Sequence, residues 1–338
     1  MKRLSLAAIA VVAAALAGPA AAQAQKVEMK FAHWLPPTHP LQKLFFEPWI
    51  KSVETESKGT IKVAIFPAQQ LGKAPDHYDM ARDGIADMTW VNPGYQAGRF
   101  PIFSGSELPF LMSSPKGGSA ALDAWYRKHA ATEMKDVQFC LAHLHIGAWH
   151  SKVALTSPDQ IKGMKIRPAN GTVARLVTSL GGTNVQLTAP EARDALEKGV
   201  ADALTFPWQS IITFGIDKVT RFHTDARLYQ ATFVWVMSKS WYGKLSADHK
   251  KVIDAHCSNA WADKGGGAWG LDEDGGREKL AALGHTIVKL TPEQMAAWRK
   301  AAEPVYAQWE AETAKAGHNA KAMLDDLKAE LKKRDALQ

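Results

Sequence analysis

Three histidines lie close together in the sequence and are the side chains best able to hold a metal ion. His143 and His145 are two residues apart, so on a β-strand their imidazoles would share one face. His150 follows nearby, but no acidic residue or cysteine stands at a spacing typical of a metal site. We therefore expect these histidines to lie inside or beside a cleft, with no metal and no cofactor.

No catalytic motif accompanies the histidines. The sequence has no Gly-x-Ser-x-Gly, no Walker loop for phosphate and no His-Glu-x-x-His, and no acid–base pair stands out. It offers binding groups without a catalytic set, so we expect a protein that is not an enzyme.

One short pattern occurs twice and indicates how binding groups could be brought together. Gly-x-Ala-Asp stands at 84–87 and again at 199–202, each time between an amphipathic run and a short apolar run that a proline ends. The glycine suits a helix C-cap, and proline cannot donate to a strand ladder. Two helix–glycine–strand units predict two related α/β lobes.

Aromatic and polar side chains stand where the repeated strands end. Trp90 and Asn92 follow from the first copy, and Phe206 and Trp208 follow from the second. Ligands of open α/β sheets bind at the carboxyl ends of the strands. Two lobes would therefore place these residues on the two sides of one cleft.

Hydrophobic periodicity predicts the strands and helices that position these residues. Besides the repeats, strands are predicted at 27–34, 61–66, 137–147, 164–167 and 231–238, and helices at 40–57, at 171–180, from Ser246 onward, and after Thr291 and Asn319. The predicted fold class is α/β, with two lobes. The helix after Ser246 contains glycines at 265–267 and 275–276, so either it breaks there or close backbone packing tolerates them.

The N-terminus resembles a secretory signal peptide. Lys2 and Arg3 precede an apolar stretch, and small residues offer a cleavage site near Ala22 or Ala24. We expect an exported, periplasmic protein that is a monomer. The formal charge of +7 falls to about +5 without the signal and forms no basic stripe, which argues against nucleic-acid binding. Cys140 and Cys257 could form a disulfide or remain two buried thiols.

Six segments, in family order, resemble the solute-binding proteins of tripartite ATP-independent periplasmic (TRAP) transporters, the DctP family. The segments are Phe31-Ala32-His33, Phe66-Pro67-Ala68-Gln69-Gln70-Leu71-Gly72, Gly84-Ile85-Ala86-Asp87, Leu108-Pro109-Phe110, Ile161-Lys162-Gly163-Met164-Lys165-Ile166-Arg167 and Val200-Ala201-Asp202-Ala203. The resemblance covers nearly the whole mature chain.

The resemblance implies a periplasmic-binding-protein fold with a hinge, a long helix bracing both lobes, and closure over an organic acid that is delivered to a membrane permease. We assign the signal peptide to 1–24, the first lobe to 25–146 plus 232–271, and the second lobe to 147–231 plus 272–338. In the family, the arginine that matches Arg167 pairs with the ligand carboxylate, a pairing suited to a planar guanidinium. The alternative is an Arg167 bonded to loop carbonyls. Asn170 could orient the same carboxylate.

Bulky residues replace polar ones at three places in the expected cleft. Trp34, Phe206 and Trp149 stand where members that bind sialic acid have Asn, Asn and Arg, respectively. Aromatic planes stack on flat ligands, whereas the hydroxyls of a sugar acid would lose partners against them. We therefore predict an aromatic carboxylate as the ligand. The predicted ligand-binding residues are Arg167, Asn170, Trp34, His33, Trp90, Asn92, Trp149, His145, Phe206 and Trp208.

Other ligands and roles stay open at this point. A small aliphatic dicarboxylate, a keto acid or a sugar acid could occupy the same receptor. Two competing functions are a periplasmic enzyme that acts on an aromatic acid and a sensor subunit that delivers its ligand to a membrane kinase.

Overall fold

The strands form one continuous sheet that connects two lobes. The computed structural model describes residues 26–338; the predicted signal peptide and its cleavage site lie outside them. The strands are β1 (Val27–Ala32), β2 (Ile61–Phe66), β3 (Met88–Val91), β4 (Gln138–Ser151), β5 (Lys165–Arg167), β6 (Thr183–Asn184), β7 (Ala203–Phe206), β8 (Phe222–Met237) and β9 (Thr286–Lys289). Their order in the sheet is β2-β1-β3-β8-β4-β7-β5-β6, with β9 beside β8. We call the side with β1–β3 the first lobe and the side with β5–β7 the second lobe.

Helices alternate with the strands along the chain. They are α1 (Glu47–Glu56), α2 (His77–Arg82), α3 (Pro115–Tyr126), α4 (Ala130–Glu133), α5 (Gly171–Ser179), α6 (Ala192–Glu197), α7 (Trp208–Thr213), α8 (Lys239–Gly243), α9 (Ala247–His256), α10 (Asn259–Ala282), α11 (Pro292–Lys315) and α12 (Ala320–Lys332). The alternation of strands and helices confirms the α/β class. None of the helices among residues 26–338 is long and apolar enough to cross a membrane.

The two Gly-x-Ala-Asp repeats build equivalent units in the two lobes. Gly84 and Gly199 follow α2 and α6 with φ of +72° and +68°, the left-handed conformation predicted for a helix C-cap. The carboxylate of Asp87 accepts a hydrogen bond from the backbone N–H of Lys30 at 2.7 Å, and that of Asp202 accepts one from Lys165 at 2.8 Å. Each repeat therefore fixes its own strand against the neighbouring parallel strand, β1 or β5.

Two strands run through both lobes and are longer than their sequence patterns predicted. The predicted strands 137–147 and 231–238 correspond to β4 and β8, which cover residues 138–151 and 222–237. The two are antiparallel partners over most of their length, with irregularities between 139 and 141 and between 147 and 149. Pairing with each other sustains both strands beyond the apolar runs, so they form the connection between the lobes.

The helical region after Ser246 breaks before its glycines and not at them. Ser246 caps α9 as predicted, α9 ends at His256, and the chain restarts at α10. The glycines lie inside α10, which continues through them. A β-carbon at Gly265 would lie 2.2 Å from the ring of Phe45, and one at Gly276 would lie 2.2 Å from the backbone nitrogen of Gln209. Close packing of α10 against both lobes therefore explains Gly265 and Gly276, whereas a β-carbon at Gly275 would meet no atom within 4 Å.

A disulfide joins Cys140 to Cys257. It links the beginning of β4 to the residue that follows α9, which resolves the choice between a disulfide and two thiols.

Candidate functional site

A cavity lies where the carboxyl ends of β1, β3, β5 and β7 meet. The space between its lining atoms is about 370 Å³, counting the mouth and the solvent within it. Five predicted site residues line it: Trp34, Trp90, Asn92, Arg167 and Phe206. The first three come from the first lobe and the last two from the second, so the cavity lies between the lobes.

Stacked aromatic rings form one wall of the cavity. The ring of Trp34 stacks on that of Trp90 at 4.6 Å between centroids, and Trp90 stacks on Phe233 at 4.4 Å. The indole N–H of Trp90 donates to Nε2 of His143 at 2.9 Å, which fixes its ring plane. The indole N–H of Trp34 is buried and has no hydrogen-bond partner among residues 26–338. This wall offers flat apolar area and one free donor.

Arg167 carries the charge of the cavity. Among the described lining residues, it alone has a permanent charge at neutral pH, and its side chain is almost fully buried. Its Nε donates to the carbonyl of Leu187 at 2.9 Å and its Nη1 to that of Thr205 at 3.1 Å. Of the five guanidinium N–H groups, these bonds leave donors on both terminal nitrogens. The hydrogen bonds from Arg167 to backbone carbonyls, considered above as the alternative to a ligand contact, are therefore present, and they still leave Arg167 able to bind an anion.

The face of the Arg167 guanidinium lies over an aromatic ring. Its Cζ is 5.3 Å from the centroid of Phe206, a distance typical of a cation–π contact. Phe206, at the end of β7, thereby helps to orient the guanidinium that β5 presents.

A polar network lies at another part of the cavity. His39 Nδ1 accepts from the backbone N–H of Leu41, so its Nε2 donates to Ser210 Oγ at 3.1 Å. Ser210 in turn donates to Glu273. Burial lowers the pKa of His39 to about 3, so this histidine is neutral. Burial raises the pKa of Glu273 to about 7, and the hydrogen bonds from Ser210 and Trp269 oppose that rise.

Five predicted site residues do not line the cavity. Trp149 packs against Trp298, 5.9 Å between centroids, and Trp208 lies against His150 at 5.3 Å. Trp149 is opposite Thr205 across the β4–β7 ladder, and Thr205 precedes Phe206. Because successive side chains of a strand point to opposite faces, Trp149 lies on the face that Phe206 does not.

The remaining three are used inside the protein. Asn170 caps α5, where its Oδ1 accepts from the N–H of Val173 at 2.8 Å and its Nδ2 donates to the carbonyl of Gln230 at 3.1 Å. His33 is buried beside Phe46, 4.9 Å between centroids, and His145 lies 5.1 Å from Trp269. Burial lowers the pKa of both histidines to about 3. That these three residues contact the ligand stays a prediction, and the contacts they make within the protein do not favour it.

The histidine cluster is divided between two environments. His143 contacts Trp90. His150 belongs to a separate chain of histidines: its Nδ1 lies 2.7 Å from Nδ1 of His223, and Nε2 of His223 lies 2.9 Å from Nδ1 of His285. In residues 26–338, no group of three or more histidine, cysteine or acidic side chains is placed to hold a metal ion.

Several lining residues were missed in the sequence. Tyr229, Ala231 and Phe233 alternate along β8 and present one face to the cavity, while Tyr95 follows β3 by four residues and Trp269 comes from α10. The period-two spacing of the β8 residues was a usable signal. Nothing local to Tyr95 or Trp269 indicates that either reaches the cleft.

The chain is similar to known proteins over most of its length. A sequence model of the family described as bacterial extracellular solute-binding protein, family 7 (DctP), matches residues 31–313. A TRAP solute-binding protein from Rhodoferax ferrireducens T118, solved with copurified benzoate, is 30% identical with a TM-score of 0.88; the match covers 92% of this chain and 99% of that one.

Two further solved structures have the same fold. A marine metagenome TRAP solute-binding protein described as specific for aromatic acid ligands, crystallised with 3-hydroxybenzoate, is 33% identical with a TM-score of 0.88, covering 92% of this chain and 99% of its own. A TRAP protein from Bordetella bronchiseptica with bound (R)- and (S)-mandelate is 27% identical with a TM-score of 0.84, covering 90% and 99%.

Proposed function

The chain belongs to family 7 of the bacterial extracellular solute-binding proteins, the receptors of TRAP transporters, and we propose that its solute is an aromatic carboxylate bound between the lobes. Members of this family are receptors and not enzymes.

The observation that carries this proposal is a single buried arginine in an otherwise uncharged, largely aromatic cavity. Arg167 supplies directed donors for one carboxylate, and such charge-assisted bonds are strong where water is excluded. Trp34, Trp90 and Phe233 supply area for a flat ring. A sugar acid would need partners for many hydroxyls, and few free polar groups line the cavity.

The ligands of the related structures support the same class. Benzoate, 3-hydroxybenzoate and mandelate each carry one carboxylate on or near an aromatic ring, and they are bound to proteins 27–33% identical to this chain. We therefore assign the carboxylate to Arg167 and the ring to the Trp34 wall.

The rest of the transport role is proposed with it. The loaded receptor, a monomer, would deliver its ligand to the membrane permease after cleavage of the signal peptide near Ala22 or Ala24. Under the lobe boundaries proposed from the sequence, 25–146 plus 232–271 and 147–231 plus 272–338, Trp34 belongs to the first lobe and Arg167 to the second.

A thermal-shift panel tests the ligand class. We expect benzoate, 3-hydroxybenzoate and cinnamate to raise the unfolding midpoint of the mature protein, and malonate, pyruvate and galacturonate to leave it unchanged. A ligand at 100 times its Kd adds about 2.7 kcal/mol to the free energy of unfolding, which is readily measured. A shift with aliphatic or sugar acids alone would contradict the aromatic assignment. The absence of a shift with every acid would contradict the role of Arg167.

Replacing Trp34 with alanine tests the stacking wall. We expect the affinity for benzoate, measured by calorimetry, to fall roughly 30-fold, since a stacked and buried ring contributes about 2 kcal/mol. Trp261→Ala is the matched control, because Trp261 is a partly buried tryptophan of α10 that does not line the cavity. An unchanged affinity of the Trp34 variant would remove this ring from the site.

A further inference from the structure

The hydroxyl of Tyr95 connects the two lobes beside Arg167. Tyr95 follows β3 in the first lobe, and its oxygen accepts a hydrogen bond from the backbone N–H of Ala189, in the second lobe, at 3.0 Å. Nη2 of Arg167 lies 3.4 Å from the same oxygen. Tyr95, Ala189 and Arg167 all line the cavity. One oxygen of the first lobe therefore touches two donors of the second.

The hydrogen of this hydroxyl is available to a ligand. Both contacts use the phenolic oxygen as the acceptor, so the O–H hydrogen takes part in neither. Burial raises the pKa of Tyr95, so the hydroxyl stays protonated at neutral pH. An acceptor bound next to Arg167 would find this donor beside the guanidinium.

We propose that Tyr95 donates to the same ligand carboxylate that Arg167 binds, and that this shared carboxylate is what favours the closed arrangement of the lobes. The inference rests on the proposed function, because it requires a carboxylate at Arg167. One carboxylate oxygen faces the guanidinium from the second lobe, and the other accepts from the hydroxyl of the first.

The geometry makes closure depend on the ligand's carboxylate group. The bond between Tyr95 and Ala189 can form only when the lobes are as close as they are here. A ligand stabilises a conformation only by the free energy with which it prefers that conformation. A carboxylate held from both lobes has that preference. Benzamide and benzyl alcohol have the ring for the Trp34 wall but lack the negative charge that Arg167 and Tyr95 would bind, so they have less preference for the closed arrangement.

The test uses the full mature protein, benzoate as the probe and Tyr95→Phe as the variant. We expect the variant to bind benzoate 10- to 100-fold more weakly in calorimetry, with the loss mainly in a faster dissociation rate. In small-angle X-ray scattering, saturating benzoate should reduce the radius of gyration of the wild type and leave that of the variant close to its ligand-free value.

The control removes the same atom elsewhere. The hydroxyl of Tyr242 donates to Asp254 at 2.7 Å within the first lobe, and Tyr242 does not line the cavity, so Tyr242→Phe should bind and contract like the wild type. Wild-type affinity and contraction of Tyr95→Phe would overturn the inference. Weaker binding with full contraction would also overturn it, because Tyr95 would then be a ligand contact without a role in closure. A wild type that binds no aromatic acid would instead overturn the proposed function itself.

Discussion

Replacing Arg167 with alanine is expected to lower the affinity for an aromatic carboxylate by a factor of about 30 to 4000. Arg167 is the one permanent charge among the described lining residues, and its guanidinium has donors left on both terminal nitrogens. Truncating one partner of a buried, hydrogen-bonded charge pair costs about 2–5 kcal/mol, because the other charge stays buried without a partner. Calorimetry with benzoate measures the loss directly.

Two further variants separate charge from geometry at this position. Arg167→Lys keeps a positive charge but loses the planar pair of donors, so its affinity should fall between those of the wild type and the alanine variant. Arg193→Ala is the matched control: Arg193 lies on α6 in the same lobe, is partly exposed and pairs loosely with Glu197 at 3.9 Å. Wild-type binding by Arg167→Ala would exclude the guanidinium from the site.

The Arg167 variants also need a stability measurement. The side chain bonds to the carbonyls of Leu187 and Thr205, which alanine would leave without these donors. Leaving a buried acceptor unpaired costs about 1–3 kcal/mol. We expect a lower unfolding midpoint but a native circular dichroism spectrum, which would assign the loss of binding to the site.

Removing the disulfide should have the largest effect on stability. In the double variant Cys140→Ala/Cys257→Ala, we expect the free energy of unfolding to fall by about 3–5 kcal/mol, since the bond closes a long loop, with a sequence separation of 117, in the unfolded chain. Urea unfolding measures this difference.

The binding site supplies the internal control for this variant. Neither cysteine lines the cavity, so the affinity for benzoate should stay within about threefold of the wild type. Reduction of the wild type by dithiothreitol should move its urea midpoint toward that of the double variant. A double variant that unfolds at the wild-type urea concentration would show that the bond does not stabilise the fold.

The sequence by itself determined the parts of the molecule that depend on local patterns. The two Gly-x-Ala-Asp units formed as predicted because a left-handed glycine and a following apolar run are properties of a few consecutive residues. The strand ends were predictable for the same reason, and they brought Trp34, Trp90, Arg167 and Phe206 to one cavity. The family followed from motifs in a fixed order.

Only the tertiary structure decided which neighbours of those strand ends face the cavity. Trp149 and Tyr229 are both large aromatics on the two strands that cross the lobes, yet the first packs in the core against Trp298 and the second lines the site. A shift of one residue in register moves a side chain to the other face of a sheet. The β4–β8 ladder shifts its register between 139 and 141 and between 147 and 149, and such shifts depend on how two strands far apart in the sequence pair. The contact of Tyr95 with Ala189, 94 residues away in sequence, likewise exists only because the two lobes meet.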